Sequence, residues 1–213
     1  MKMTRTILVA TSALQIAGYL HAGGELADQP PGTSSSITIE PKHGSAAEAQ
    51  TKEQLERLLA QYPLRPWYFT RSVVIDETAI PHSHPVLTLH TRHYRDDDLL
   101  LSTFVHEELH WFLANQKETE NAEHDLRLLF PKMPVGYPDG AASEESGYLH
   151  ILVNYLEWQS DQRLLGELRA WQVMEFWAHD HYRWIYQTVL DHPDEIGRIV
   201  SKYNLTFPKK PAK

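Results

Sequence analysis

The chain has no cysteine among its 213 residues. Disulfide bonds and thiolate metal sites are therefore both excluded, and any metal ion must be held by histidine, aspartate or glutamate. An excess of positive charge is lacking too, because 20 Lys and Arg face 28 Asp and Glu, for a formal net charge of -8. This balance excludes the basic surface that is typical of nucleic-acid binders. The 13 histidines, by contrast, are ample material for a metal site.

The sequence also lacks an apolar run that is long enough to cross a membrane comfortably. The run "ILVATSALQIAGYL" at 7–20 follows Lys2 and Arg5 and precedes the small residues of "HAGG". This order predicts a signal peptide at 1–22, and so export to the periplasm or the medium with no stable membrane span after cleavage. An uncleaved anchor or a buried first helix remains an alternative.

The rest of the sequence alternates between a few strand-like runs and many helical segments. Residues 23–48 are rich in Gly, Pro, Ser, Thr and Ala and predict a flexible lead-in. The runs "WYFTRSVVID" and "PVLTLHTRHY" predict strands. The predicted helices open at Thr51, with Gln54 completing a capping box, then run from 96–98 to Ala114, over 119–130, and from 146 to 203 with breaks near Gly166 and Pro193. The pattern predicts an α+β, helix-dominated fold with a small N-terminal sheet and a basic tail at 207–213.

One predicted helix carries the sequence His106-Glu107-x-x-His110. Residues four apart lie one turn apart on the same face of a helix, so both imidazoles can reach a single ion. Zinc accepts imidazole nitrogens and keeps one position open when the site is catalytic. Glu107 is placed to take a proton from a water in that position. The spacing therefore predicts a zinc site with Glu107 as its general base.

Two histidines need a third ligand, and the segment "SGYLHILVNYLEWQSDQRLL" offers candidates. His150, Asn154, Glu157 and Asp161 fall within a stripe about 60° wide on a helix that is otherwise largely apolar. Such a stripe faces either solvent or a buried polar site, and the nearby histidine pair favours the buried site. His150 and Glu157 are two turns apart, roughly 10 Å, so both can hardly bind one ion.

The two motifs together resemble the gluzincin metallopeptidases, the thermolysin-like branch of the zincins. That family pairs His-Glu-x-x-His with Glu-x-x-x-Asp on a later helix, and this chain has Glu157-x-x-x-Asp161. The resemblance implies that Glu157 is the third zinc ligand and that Asp161 accepts a hydrogen bond from a ligating imidazole. His150 remains the rival ligand, or with Asn154 an outer residue of the site. The resemblance implies a zincin-like catalytic domain at 49–206.

Further expectations concern the surroundings of this site. In zincins the strand before the metal helix binds extended substrate, and "VLTLHTR" at 86–92 has that position. His181 and Tyr182 are candidates, by residue type and order, for stabilising the oxyanion of the reaction. The sequence thus predicts a zinc-dependent metallohydrolase that acts on a peptide or protein. The alternative is a non-catalytic protein that keeps the scaffold to bind a metal or a partner.

Overall fold

The computed structural model of the protein describes residues 37–207. Within them the chain forms a small sheet and seven α-helices, so the predicted α+β, helix-dominated class is confirmed. The strands are β1 (Thr38–Pro41), β2 (Ser72–Ile75) and β3 (Leu87–Leu89), and the helices are α1 (Ala46–Gln61), α2 (Asp97–Ala114), α3 (Thr119–Leu129), α4 (Glu144–Leu165), α5 (Glu167–Asp180), α6 (Arg183–Asp191) and α7 (Pro193–Lys202).

The three strands form a parallel sheet in the order β1-β2-β3. Helix α1 connects β1 to β2. His82, in the connection from β2 to β3, forms a short antiparallel bridge with Thr88 of β3. The Thr88 amide donates to the His82 carbonyl at 2.8 Å, and the His82 amide donates back at 3.1 Å. These two bonds occupy the outward-facing backbone groups of Thr88. The sequence predicted that the strand at 86–92 binds extended substrate through its main chain. At Thr88 this prediction is not met, because the groups that would pair with substrate are already bonded to His82.

The first helix begins earlier than the sequence predicted. Helix α1 starts at Ala46, with Ser45 as its N-cap, whereas the prediction placed the start at Thr51. Ser45 accepts a hydrogen bond from the amide of Glu48, so the Ser-x-x-Glu pair at 45–48 forms the cap in place of the Thr51–Gln54 pair. Strand β1 also lies inside the range 23–48 that was assigned to a flexible lead-in.

Helices α2 and α4 form the centre of the molecule. Twelve residues of α2 are buried around its whole circumference, which explains why the helix lacks a polar face. Asp96 caps α2 through the amide of Leu99, and Ser143 caps α4 through the amide of Ser146. The predicted run from 96–98 to Ala114 is therefore confirmed to within a residue.

The helical C-terminal part breaks at three points. Gly166, at φ +84°, separates α4 from α5, and Pro193 opens α7, as the sequence predicted. The third break was not predicted: Tyr182 takes a left-handed conformation at φ +48° between α5 and α6. The first amides of α6 donate to the carbonyls of Pro138 and Asp139, so the Pro/Gly loop at 131–143 caps this helix.

Phe207 closes the described part of the chain by packing among aromatic rings. Its ring centroid lies 4.7 Å from that of Phe112 and 5.8 Å from that of Trp67. The predicted signal peptide at 1–22 and the tail beyond Phe207 lie outside the described residues. Within the described part, no helix is both long and apolar enough to span a membrane.

Candidate metal centre

The two histidines of the α2 motif point at a common position. The Nε2 atoms of His106 and His110 lie 3.3 Å apart. Two nitrogen ligands that are each 2.0–2.1 Å from a tetrahedral ion are separated by about 3.3–3.4 Å. The distance between these two nitrogens therefore fits an ion held by both imidazoles without any movement of the helix.

A third imidazole, from His150 on α4, completes the group. The ring centroid of His150 lies 4.9 Å from that of His110 and 5.7 Å from that of His106. One ligand atom from each of the three residues lies within 4.8 Å of the others. His106, His110 and His150, called the three-histidine group below, could therefore hold a metal ion.

Two of these rings are oriented by hydrogen bonds on the side away from the group. The Nδ1 atom of His106 donates to Oε2 of Glu157 at 2.9 Å, and Nδ1 of His150 donates to the carbonyl of Ser146 at 2.6 Å. A proton held on Nδ1 leaves Nε2 of the same ring free to bind a metal, which is the usual arrangement of ligating histidines.

Glu157 lies on the Nδ1 side of His106, and His110 lies on the Nε2 side. The resemblance gave Glu157 the role of third ligand and gave Asp161 the hydrogen bond to an imidazole. In the structure Glu157 itself accepts that hydrogen bond. Asp161 contacts Ser102 Oγ instead, at 2.9 Å from its Oδ2, and its Oδ1 has no partner among the described residues.

Two further donors hold the Glu157 carboxylate in place. The Tyr186 hydroxyl donates to Oε2 at 3.0 Å, and the Ser102 hydroxyl donates to Oε1 at 2.5 Å. Sequence reasoning missed both residues, although Ser102 could have been found, because it lies one turn before His106 on the same face of α2. The residue Tyr186, on α6, has no comparable spacing signal.

Burial lowers the pKa of two members of the three-histidine group. Burial, together with the smaller effect of nearby imidazoles, lowers the pKa of His110 to about 2 and that of His150 to about 3. Burial opposes protonation of His106 as well, but the adjacent Glu157 carboxylate outweighs it and raises the pKa of His106. His110 and His150 are therefore neutral at physiological pH, as metal binding requires.

Glu107 is the predicted general base of the motif, and its carboxyl group is buried beside the three-histidine group. Only 5% of the residue is exposed. Burial raises the pKa of Glu107 to about 7, although the charge of His106 opposes this shift. A carboxyl group with such a pKa can both accept and release a proton at neutral pH.

The predicted oxyanion residues, His181 and Tyr182, also reach this place. The ring of Tyr182 lies 4.4 Å from that of His150, measured between centroids. The Nδ1 atom of His181 donates to Asp180 at 2.9 Å, and Asp180 accepts a second bond from Arg92 at 2.7 Å. The His181 ring is thereby oriented, and with its proton on Nδ1 the other ring nitrogen, Nε2, is a hydrogen-bond acceptor.

A pocket of about 480 Å³ opens over these side chains. One side of it is formed by Ile80, Pro81, His82 and Ser83, called the 80–83 wall below. The pocket also contains Glu107, the three-histidine group, His181 and Tyr182. Two exposed apolar side chains line it as well, Ile80 at 81% and Tyr137 at 78% exposure. The cavity therefore joins the candidate metal ligands, a buried carboxyl group and the side chains of His181 and Tyr182.

Of the predicted site residues, Asp161 does not line the pocket, and neither does Asn154. Its side chain is fully buried, and neither atom of its amide has a hydrogen-bond partner among the described residues. The expectation that the polar stripe faces inward is nevertheless met along its whole length, since at most 8% of each of its residues is exposed. The four residues are His150, Asn154, Glu157 and Asp161.

A second group with metal-ligating atoms, His43, Glu48 and Glu77, lies near the start of α1. The arrangement of these three side chains is explained by hydrogen bonds, without a metal ion. The Glu48 carboxylate accepts hydrogen bonds from the amides of His43, Gly44 and Glu77 and from the His43 ring, at 2.7–3.1 Å. This carboxylate is therefore fully used in closing the first turn of α1.

No family model matches this chain, and neither a curated protein nor a solved structure matches it.

Proposed function

We propose that the protein is a zinc-dependent hydrolase that cleaves peptide bonds. The observation that carries this proposal is the convergence of three imidazoles on one position, with the buried Glu107 carboxyl group beside them in the same pocket. His106, His110 and His150 would hold the ion. This assignment replaces Glu157 by His150 as the third ligand, because Glu157 is hydrogen-bonded to the opposite nitrogen of His106.

The donor set supports zinc in particular. Three imidazoles with one further position open are a common arrangement for catalytic zinc. When bound, zinc would polarise the substrate carbonyl and lower the pKa of water to about 7. The Glu157 carboxylate, held by Ser102 and Tyr186, keeps the His106 ring in the orientation that directs Nε2 to the ion.

The remaining steps belong to side chains of the pocket. Glu107 accepts a proton from the attacking water and later delivers it to the leaving amine. Tyr182 supplies a donor for the negative charge that develops on the carbonyl oxygen, and His181, whose Nδ1 already donates to Asp180, supplies a second donor only as the imidazolium. The proton acceptor thus lies on α2, and the side chains that stabilise the carbonyl oxygen lie in the turn between α5 and α6.

The burial of Glu107 favours an enzyme over a protein that only binds metal. Burying a carboxyl group costs folding free energy, and the raised pKa of Glu107 reflects that cost. A catalytic base of matched pKa gives a reason for keeping it. A scaffold for binding alone has no use for a base at this place.

The test compares the wild type with Glu107→Gln on a broad peptide mixture, after zinc content has been measured in both. Glutamine keeps the size of the side chain but cannot accept the proton. We expect full zinc content and a loss of at least ~100-fold in turnover. Cleavage that survives undiminished in the zinc-loaded variant would show that this helix is not the catalytic one.

A further inference from the structure

The 80–83 wall of the pocket belongs to neither a helix nor one of the three strands. It lies in the connection between β2 and β3, with Ile80 exposed and Pro81, His82 and Ser83 half-buried. On one side it is attached to β3 through the bridge between His82 and Thr88. This bridge holds His82 but not Ser83, so a second contact is needed to fix the position of the whole wall.

Trp111 makes that second attachment. Its indole Nε1 donates to the carbonyl of Ser83 at 2.9 Å. The same indole stacks on the ring of His84, with centroids 3.8 Å apart and planes 25° apart. A hydrogen bond and a stacked ring thus fasten the end of the wall to one side chain.

Trp111 directly follows His110 on α2. The residue that fastens the wall is therefore rigidly connected to the residue that supplies a candidate metal ligand, because both lie on one turn of a buried helix. The contacts of Trp111 with Ser83 and His84 therefore hold the end of the wall in a fixed position relative to α2.

We propose that Trp111 is a positioning residue that holds the 80–83 wall at a set distance from the three-histidine group and so defines the width of the cleft. The structural part of this proposal stands on the contacts of Trp111 alone. The part that concerns substrate rests on the proposed function: the wall contacts the groups that flank the scissile bond, and its position decides how tightly they bind.

The first measurement is hydrogen exchange of the His82 and Thr88 amides in the metal-free protein. Trp111→Phe keeps an aromatic ring but removes the donor to Ser83. We expect both amides to exchange about threefold to tenfold faster, since one hydrogen bond is lost from the structure that protects them. The matched control is Trp171→Phe, an exposed tryptophan on α5, which leaves both rates unchanged.

A second variant, His84→Ala, removes the stacked ring and leaves Trp111 in place. It is expected to raise the same two exchange rates, and it serves as the test if Trp111→Phe does not fold. Faster exchange at His82 and Thr88, with the α2 core amides unchanged, supports the proposal. Unchanged exchange at both amides in the folded variants overturns it.

Steady-state kinetics of the zinc-loaded enzyme then test the substrate part. Trp111→Phe is expected to raise KM about threefold to tenfold, with zinc content and kcat retained, because the wall loses its fixed position while the catalytic groups do not. An unchanged KM alongside faster exchange would overturn the role in substrate binding. A wild type without any hydrolytic activity would refute the proposed function and leave the exchange result standing.

Discussion

At the scale of single residues, the geometry of the candidate centre depends on which residue each nitrogen of the His106 imidazole faces. His106 presents Nε2 to His110 and Nδ1 to Glu157. The sequence places His150 and Glu157 on one face of α4, but it does not specify which of them lies on which side of the His106 ring. That choice depends on the rotation of α4 about its axis and on its position along α2, which tertiary packing determines.

This geometry predicts different effects of changing the two residues. His150→Ala removes a ligand and is expected to abolish tight zinc binding. Glu157→Gln removes a carboxylate outside the ligand set and is expected to weaken zinc binding about 10- to 100-fold. Competition with a chelator measures both affinities, and His124→Ala on the surface of α3 is the control. Loss of zinc only in the Glu157 variant would return the ligand role to that residue.

Backbone strain at Tyr182 supports a second prediction. A left-handed conformation outside glycine costs of order 1–3 kcal/mol and tends to persist at functional sites. Tyr182→Gly and Tyr182→Ala both remove the ring, but only glycine removes the strain. We expect the glycine variant to be about 1 kcal/mol more stable than the alanine variant in urea unfolding.

The neighbouring His181, at φ -148°, is the matched control for this comparison. At this position the alanine variant is expected to be more stable than the glycine variant. Glycine relieves no backbone strain there, and it raises the conformational entropy of the unfolded chain. The same order of stabilities at both positions would mean that Tyr182 carries no strain.

At the scale of elements, signals that are local in sequence predicted well. Helix α2 begins after Asp96, as the acidic run indicated, and the Gly166 and Pro193 breaks lie where those residues occur. The run at 67–76 was less informative, since only Ser72–Ile75 pairs as a strand. Its aromatic residues pack into the core instead, and β-propensity does not distinguish between these two uses of a large side chain.

The start of α1 provides a prediction about pH. Burial raises the pKa of Glu48, but its hydrogen bonds from His43, Glu77 and Gly44 outweigh burial and lower the pKa to about 2. The unfolded chain, with a value near 4.5, therefore binds the proton first on acidification. The stability that ionised Glu48 contributes is fully present above the unfolded pKa and is lost as the pH falls toward 2.

Glu48→Gln is accordingly expected to flatten the dependence of the unfolding free energy on pH between the unfolded and folded pKa values. Urea titrations at a series of pH values measure this slope. Glu53→Gln, on the exposed side of α1, is expected to leave the wild-type slope in place. An unchanged slope in the Glu48 variant would contradict the assignment of the acid sensitivity to this cap.

At the scale of the whole molecule, the candidate metal ligands lie on both central helices. His106 and His110 lie on α2, and His150 lies on α4. An ion bound to the folded state alone stabilises it by about 2.7 kcal/mol when its free concentration is 100 times the dissociation constant. Zinc is therefore expected to raise the Tm of the wild type by several degrees in a thermal scan. The same addition should leave the Tm of His150→Ala unchanged, because two ligands bind zinc weakly.

The division of the three-histidine group between α2 and α4 also determines when an ion can be captured. Before the two helices meet, each offers two imidazoles at most, so tight capture has to wait until the chain has folded. Affinity alone favours copper over zinc at nitrogen ligands, and proteins therefore depend on metal availability for selectivity. On the proposed function, the metal that is available where the chain folds therefore determines which ion the three-histidine group binds.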